Sequence, residues 1–121
     1  MLQILFDNNV PSGARTFLSQ HEVRTILQMK WSPRLKNGEL LNAAEAAGFD
    51  VLVTCDQNIV YQQNLTGRKP ALVVLGSNVW SVVRNHGLAI AAAVERSTPG
   101  NCETIVMPIP SKIRESSKDE C

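Results

Sequence analysis

The sequence predicts an α/β protein, a three-layer α/β/α sandwich around a mostly parallel central sheet of four to five strands. Three short, almost wholly apolar runs, at residues 2–6, 51–53 and 71–75, predict its buried strands. Such runs are typical of parallel strands, which are covered on both faces. Segments with helical apolar spacing separate them, and this alternation implies right-handed crossovers in one open sheet.

Composition and charge narrow the class of protein. The 121 residues suit one domain, and 44% apolar with 19% charged residues excludes a disordered chain. No apolar run approaches the ~20 residues that span a bilayer, and the first residues lack a signal-peptide pattern, so we expect a soluble cytoplasmic protein. The formal net charge of +1 gives no global attraction for nucleic acid. Binding of nucleic acid would therefore require a local patch of basic residues.

The first part of the chain predicts two strands with a helix between them. Residues 2–6 form the first buried strand, which the polar residues 7–9 close. An apolar stripe after Pro11 predicts a short helix. Alternation of polar with apolar or β-branched residues over 22–26 predicts an edge strand, and the basic stretch 30–36 predicts a loop.

A clearer helix follows, with Asn37 as its cap and Gly48 just beyond its last turn. Glu39 lies in its first turn, where the helix macrodipole favours an anion. Its predicted inner stripe consists of Leu40, Leu41, Ala44 and Ala47.

The second half of the chain predicts three further strands. Residues 51–53 form a buried strand that ends in the polar cluster 54–58. A break at 67–70 precedes the buried strand 71–75, and residues 102–107 predict a last strand.

The remaining segments complete the domain. Residues 79–96 have helical composition, with Gly87 as a point where the helix can divide. We therefore expect one domain over residues 1–107. Residues 108–121 are rich in Pro, Ser, Lys and Glu, which predicts a mobile C-terminal tail.

Polar residues that could carry chemistry stand at the ends of the predicted strands. In an open parallel sheet, ligands bind beyond the carboxyl ends of the strands, where Asp7, Asp56 and Ser77 lie. If the strands carrying Asp7 and Asp56 are neighbours, a divalent cation would relieve the repulsion between the two carboxylates. Glu39 is the natural third ligand, and three carboxylates with waters suit Mg²⁺ or Mn²⁺.

Zinc is not expected. The three cysteines, Cys55, Cys102 and Cys121, lack metal-ligand spacing, and we expect reduced thiols.

A carboxylate-bound cation of this kind suits hydrolysis of a nucleic-acid backbone. The basic side chains that could contact phosphates are Lys30, Arg34, Lys36 and Arg68. Trp31 offers a stacking surface for a single strand. However, Trp31 and Trp80 are more simply interpreted as core or rim anchors, because large aromatic residues are mostly buried, and Arg68 as part of a solvated turn.

The strand-end acids resemble those of a known family, the PIN-like domains, and in particular small bacterial proteins of VapC-type toxin-antitoxin systems. The resemblance spans about residues 2–107. Its strongest parts are Ile-Leu-Phe-Asp-Asn-Asn-Val-Pro at 4–11 and Val-Leu-Val-Thr-Cys-Asp-Gln-Asn at 51–58, which is similar to the family's Val-Thr-x-Asp block. Asn-Gly-Glu-Leu-Leu at 37–41 stands where those proteins carry a helix-borne acid.

This resemblance implies a ribonuclease in which Asp7, Glu39 and Asp56 hold Mg²⁺ or Mn²⁺. It also implies a small antitoxin as a partner, RNA as the substrate, and the possibility of a homodimer. Related sequences often have an acid where this chain has Asn8 and Asn58. A neutral amide there can orient a water or coordinate weakly, but it removes charge that helps to recruit the cation.

Simpler roles for these residues stay open. Asp7 and Asp56 could each form an Asx turn, Asn58 could cap a helix, and the helix dipole alone would favour Glu39. The corresponding alternative function is a non-catalytic PIN-like module that binds protein or RNA. A receiver-like phosphoacceptor domain is disfavoured, because residues 107–110 supply no lysine at the end of the last strand.

Overall fold

The computed structural model describes residues 1–32, 34–35, 38–56 and 69–107 and has a five-stranded, all-parallel sheet at its centre. The strands are β1 (Gln3–Phe6), β2 (Glu22–Thr25), β3 (Val51–Thr54), β4 (Ala71–Leu75) and β5 (Cys102–Ile105). Their order is β2-β1-β3-β4-β5, so β2 is an edge strand as predicted. The predicted α/β class and parallel sheet are confirmed.

Helical segments connect the strands. They are a 3₁₀ helix at Ser12–Leu18, α1 (Gly38–Ala46), α2 (Trp80–Val83), a 3₁₀ turn at Arg84–His86 and α3 (Gly87–Glu95). The helix predicted over 79–96 is thus divided, and its second part begins at Gly87. In the part of the chain that the structure describes, no helix is long and apolar enough to cross a membrane.

The two faces of the sheet bury different side chains. Along β1, Ile4 and Phe6 pack in one cluster with residues of α3 and of the first 3₁₀ helix, whereas Leu5 packs in a second cluster with residues of α1. This separation follows from the alternation of side chains along a strand. Every residue of β3 and β4 is buried, which explains why both strands read as apolar runs.

The end of α1 is set by Gly48. The N–H of Gly48 donates to the carbonyl of Glu45, and the N–H of Phe49 donates to the carbonyl of Ala44. This is a Schellman motif, and the φ of +86° at Gly48 is one that glycine adopts without strain. The stop predicted at Gly48 is confirmed, but the inner position predicted for Ala47 is wrong, because the helix has ended before it and Ala47 is exposed.

The cysteines differ from one another in their redox state. Cys55 is a free thiol, whereas Cys102 is disulfide-bonded, so a reduced thiol was the wrong expectation there. Spacing along the chain does not reveal which cysteines meet in space. The predicted cap Asn37 and the predicted tail 108–121 lie outside the described part of the chain.

Candidate functional site

The strands that carry Asp7 and Asp56 are direct neighbours. Phe6 pairs with Val53 in the parallel ladder, and the N–H of Asp7 donates to the carbonyl of Val53 over 2.9 Å. Asp56 follows the end of β3 by two residues. The strand order reverses between β1 and β3, the position at which open α/β sheets bind their ligands. Both carboxylates therefore stand at the expected ligand-binding edge.

Thr54 connects the two acids. Its hydroxyl donates to Oδ2 of Asp7 over 2.7 Å and accepts the N–H of Asp56 over 3.0 Å. Both directions are determined, because a carboxylate only accepts and an N–H only donates. Thr54 is fully buried and is the one buried polar side chain among the described residues. A single buried hydroxyl thus orients the Asp7 carboxylate and the backbone that carries Asp56.

Two asparagines complete the connection between the strand ends. Oδ1 of Asp7 accepts the N–H of Asn8 over 2.7 Å, so each Asp7 oxygen has a donor from the protein. Oδ1 of Asn9 accepts the N–H of Cys55 over 3.1 Å, which joins the loop after β1 to the loop after β3. Sequence reasoning missed the roles of Asn9 and Thr54, although both lie inside the two strand-end motifs.

Cys55 immediately precedes Asp56 but is not a nucleophile. Its thiol donates to the carbonyl of Ser77 over 3.3 Å. Burial, and secondly the negative charge of Asp7, raise the pKa of the Cys55 thiol to about 12. The thiol therefore stays protonated near neutral pH, and its reactivity is low. Ser77 accepts the N–H of Val79 through its hydroxyl, so the end of β4 is joined to the same network.

Glu39 has no hydrogen bond to this network among the described residues. It is exposed in the first turn of α1. Across the described ranges, no three His, Cys, Asp or Glu side chains are grouped as metal ligands, so Glu39 is not gathered with Asp7 and Asp56. The remaining supporting residue of the prediction, Asn58, lies outside the described residues.

The predicted RNA-binding residues are only partly described. Lys30 and Arg34 are exposed in the segment that follows the carboxyl end of β2, whereas Lys36 and Arg68 lie outside the described ranges. Lys30 has a φ of 62° because a tight turn ends there, with the N–H of Trp31 donating to the carbonyl of Ile26.

Trp31, in the same segment, is only partly buried and packs against the core. It contacts Phe49 edge to face at a centroid distance of 6.4 Å, and it packs against the buried cluster on the α1 side of the sheet. The interpretation of Trp31 as an anchor therefore agrees with the structure better than a base-stacking role does.

Comparison with known proteins adds no relative to this description. No family model matches the chain, and neither a curated protein nor a solved structure matches it. The chemistry of the described residues therefore carries the functional interpretation.

Proposed function

We propose that this protein is a metal-dependent ribonuclease of PIN-like type that acts in the cytoplasm as the toxin of a toxin-antitoxin pair. The observation that supports this proposal is the placement of Asp7 and Asp56 at the carboxyl ends of two paired strands, with the Thr54 hydroxyl between them. The toxin role and the family come from the resemblance of the motifs at 4–11 and 51–58 to PIN-like proteins.

The donor set fits a hard divalent cation. Mg²⁺ is commonly held by one or two carboxylates, with waters and substrate phosphate oxygens as the other ligands. Asp7 and Asp56 would hold Mg²⁺ or Mn²⁺, and Glu39 remains a proposed third ligand that would have to act from the first turn of α1. When bound, such a cation lowers the pKa of a water and stabilises the charge that develops on a phosphodiester.

The residues of the chain supply orientation and charge. The donors from Thr54 and Asn8 hold the Asp7 carboxylate in one direction, so little rearrangement is needed when a charged ligand arrives. The Cys55 thiol is neutral, so the charge of this cluster comes from the two aspartates. Exposed Lys30 and Arg34 would contact the phosphates of an RNA strand.

Two other functions are kept as alternatives. A non-catalytic PIN-like module would use the same surface to bind protein or RNA without turnover. A receiver-like phosphoacceptor domain shares the strand order seen here. However, β5 is followed by Val106 and Met107, so the described residues place no lysine at that strand end.

Calorimetric titration of Mn²⁺ tests the proposal before any substrate is known. We expect saturable binding that is lost in an Asp7→Asn/Asp56→Asn double variant. Asp50→Asn is the matched control, because Asp50 lies at the amino end of β3, away from the candidate site, where it accepts the N–H of Gln3. It removes one carboxylate charge and should leave Mn²⁺ binding unchanged.

Cleavage of structured RNAs in Mn²⁺, with the double variant beside the wild type, then tests the reaction. Absence of Mn²⁺ binding up to millimolar concentration would overturn the ribonuclease and favour the module. Uptake of a phosphoryl group from a small donor would favour the receiver-like alternative. Co-expression with the product of the neighbouring gene tests the antitoxin, since growth arrest should be relieved, and light scattering tests the homodimer.

A further inference from the structure

Trp80 presents an aromatic surface that is rigidly held. The residue is 39% exposed, and its ring stacks on Phe17 with a centroid distance of 6.0 Å and an interplanar angle of 23°. The ring also lies directly on Gly13, where an added Cβ would be only 2.8–3.0 Å from three carbons of the indole. Gly13 thus leaves the space that the ring occupies, and the exposed part of the ring has few alternative orientations.

This surface is joined to the candidate site by a short stretch of chain. Gly13 follows Asp7 by six residues, so it lies within about 20 Å of it even in an extended chain. Two turns shorten that path, because the N–H of Val10 donates to the carbonyl of Asp7 and the N–H of Ala14 to that of Pro11.

A second connection runs from the loop after β3 to the residue before Trp80. The thiol of Cys55 donates to the carbonyl of Ser77, whose hydroxyl accepts the N–H of Val79, the residue before Trp80. The loops after β3 and β4 are therefore hydrogen-bonded to each other just before Trp80, and Gly13, in the segment after β1, lies against its ring.

The surroundings of Trp80 carry positive charge. Arg84 comes one helical turn later and is exposed, and no described residue is a hydrogen-bond or ion-pair partner of its guanidinium. Arg84 also lines a shallow cavity of about 560 Å³ together with Phe17, Asn85 and His86. An exposed aromatic ring suits a base, and the polar donors and the cation beside it, which has no partner in the described part of the chain, suit its phosphates.

We propose that Trp80 is a stacking platform for one base of a single-stranded RNA, with Arg84 contacting an adjacent phosphate. This inference rests on the proposed ribonuclease and names the form of its substrate. A protein partner is less well matched, because the guanidinium of Arg84, which has no partner among the described residues, stands one helical turn from the ring. Duplex RNA is also excluded, because its bases are stacked on one another.

Tryptophan fluorescence can test this directly, since the chain has two tryptophans. In a Trp31→Phe background, Trp80 is the only indole. We expect a mixed-sequence single-stranded RNA 12-mer to quench its emission saturably in EDTA, where no cleavage occurs, and a 12-base-pair RNA duplex to leave the emission unchanged. Quenching that depends on protein concentration without RNA would instead identify a second copy as the occupant and overturn the proposal.

Variants assign the effect to the two side chains. Binding of the same 12-mer, measured by anisotropy of an end label on the RNA, should weaken about 5- to 100-fold in Trp80→Leu and less in Trp80→Phe, which keeps an aromatic ring. Arg84→Gln should weaken binding and reduce the salt dependence by about 0.7 in log–log slope. Arg24→Gln is the matched control, since Arg24 lies on edge strand β2 and pairs with Glu22. Folding of each variant is checked by circular dichroism.

The outcomes separate this inference from the proposed function. Quenching and Trp80-dependent affinity without cleavage in Mn²⁺ would support the RNA surface and overturn the nuclease alone. Cleavage of RNA with equal KM in wild type and Trp80→Leu, and without quenching, would overturn the stacking platform alone.

Discussion

The hydroxyl of Thr54, the last residue of β3, donates a 2.7 Å hydrogen bond to the carboxylate of Asp7, the residue after β1. Thr54 is fully buried, whereas the Asp7 carboxylate that accepts this bond is only partly buried. The same hydroxyl accepts the N–H of Asp56. Loss of one oxygen atom would therefore disturb both acids of the candidate site, although Thr54 itself need not contact a ligand.

Replacement of that hydroxyl should weaken cation binding. Thr54→Val keeps the shape of the side chain but leaves the N–H of Asp56 without this acceptor and Asp7 without this donor. We expect Mn²⁺ affinity to fall about 10- to 100-fold and the free energy of unfolding to fall by about 1–3 kcal/mol. Calorimetry and urea unfolding measure the two effects. Thr54→Ser retains the hydroxyl and should preserve most of the affinity; equal affinity in Thr54→Val would contradict the positioning role.

An added acid beside Asp7 should strengthen cation binding. Asn8 is exposed and donates to Asp7 through its backbone N–H, a contact that Asn8→Asp retains. The new carboxylate raises the local negative charge, so Mn²⁺ affinity should rise several-fold, and the gain should shrink at high salt. Asn101→Asp adds the same charge before β5 and should have no such effect. Equal changes in the two variants would indicate a nonspecific charge effect.

Stability should decline in alkali because of Cys55. Its folded-state pKa of about 12 lies above the ordinary value of 9.0, so between these pH values the folded protein holds a proton that the unfolded chain releases. The stabilisation is therefore complete below pH 9 and is lost as the pH rises toward 12. The slope is at most ~1.4 kcal/mol per pH unit, and solvent screening at this half-buried thiol reduces it.

Urea unfolding at pH 7, 9 and 10.5 measures this loss. Cys55→Ala removes the thiol, so its unfolding free energy should be less sensitive to pH across the same range. Parallel curves for the two proteins would show that another group titrates.

Gly76 should be intolerant of a side chain. An added Cβ would lie 2.8 Å from the carbonyl oxygen of Ile105 and 2.9 Å from the nitrogen of Met107, which are backbone atoms that cannot rotate away. Gly76→Ala should therefore destabilise the fold by about 1–3 kcal/mol, measured by urea unfolding. Gly48→Asn is the comparison: its Cβ meets open space, and asparagine tolerates left-handed backbone, so a smaller loss is expected.

Local sequence signals predicted most of the elements. Continuous apolar runs identified β3 and β4 because both strands are buried on both faces. Gly48 predicted the end of α1 because few other residues accept its backbone conformation. Helical spacing was a weaker guide near the end of α1. Ala47 has the spacing of a core position, but the helix ends at Ala46, so Ala47 is exposed.

The candidate site was predictable only in its outline. Asp7 and Asp56 could be found because each follows an apolar run. The role of Thr54 could not, because its donor bond to Asp7 spans 47 residues. Nor could the sequence show that Glu39 is not gathered with the two aspartates in the described part of the chain, since its place in a helical first turn suits either role.

Local sequence was enough to identify the buried strands, the residues that end them and the two acids among those residues, since apolar runs and the ends of strands are local properties. Packing of distant segments was needed to place β1 beside β3, to join Asp7 to the backbone of Asp56 through a buried threonine, and to lay Trp80 on Gly13. Strand order and side-chain partners depend on that packing, because one pattern of apolar runs is compatible with several strand orders.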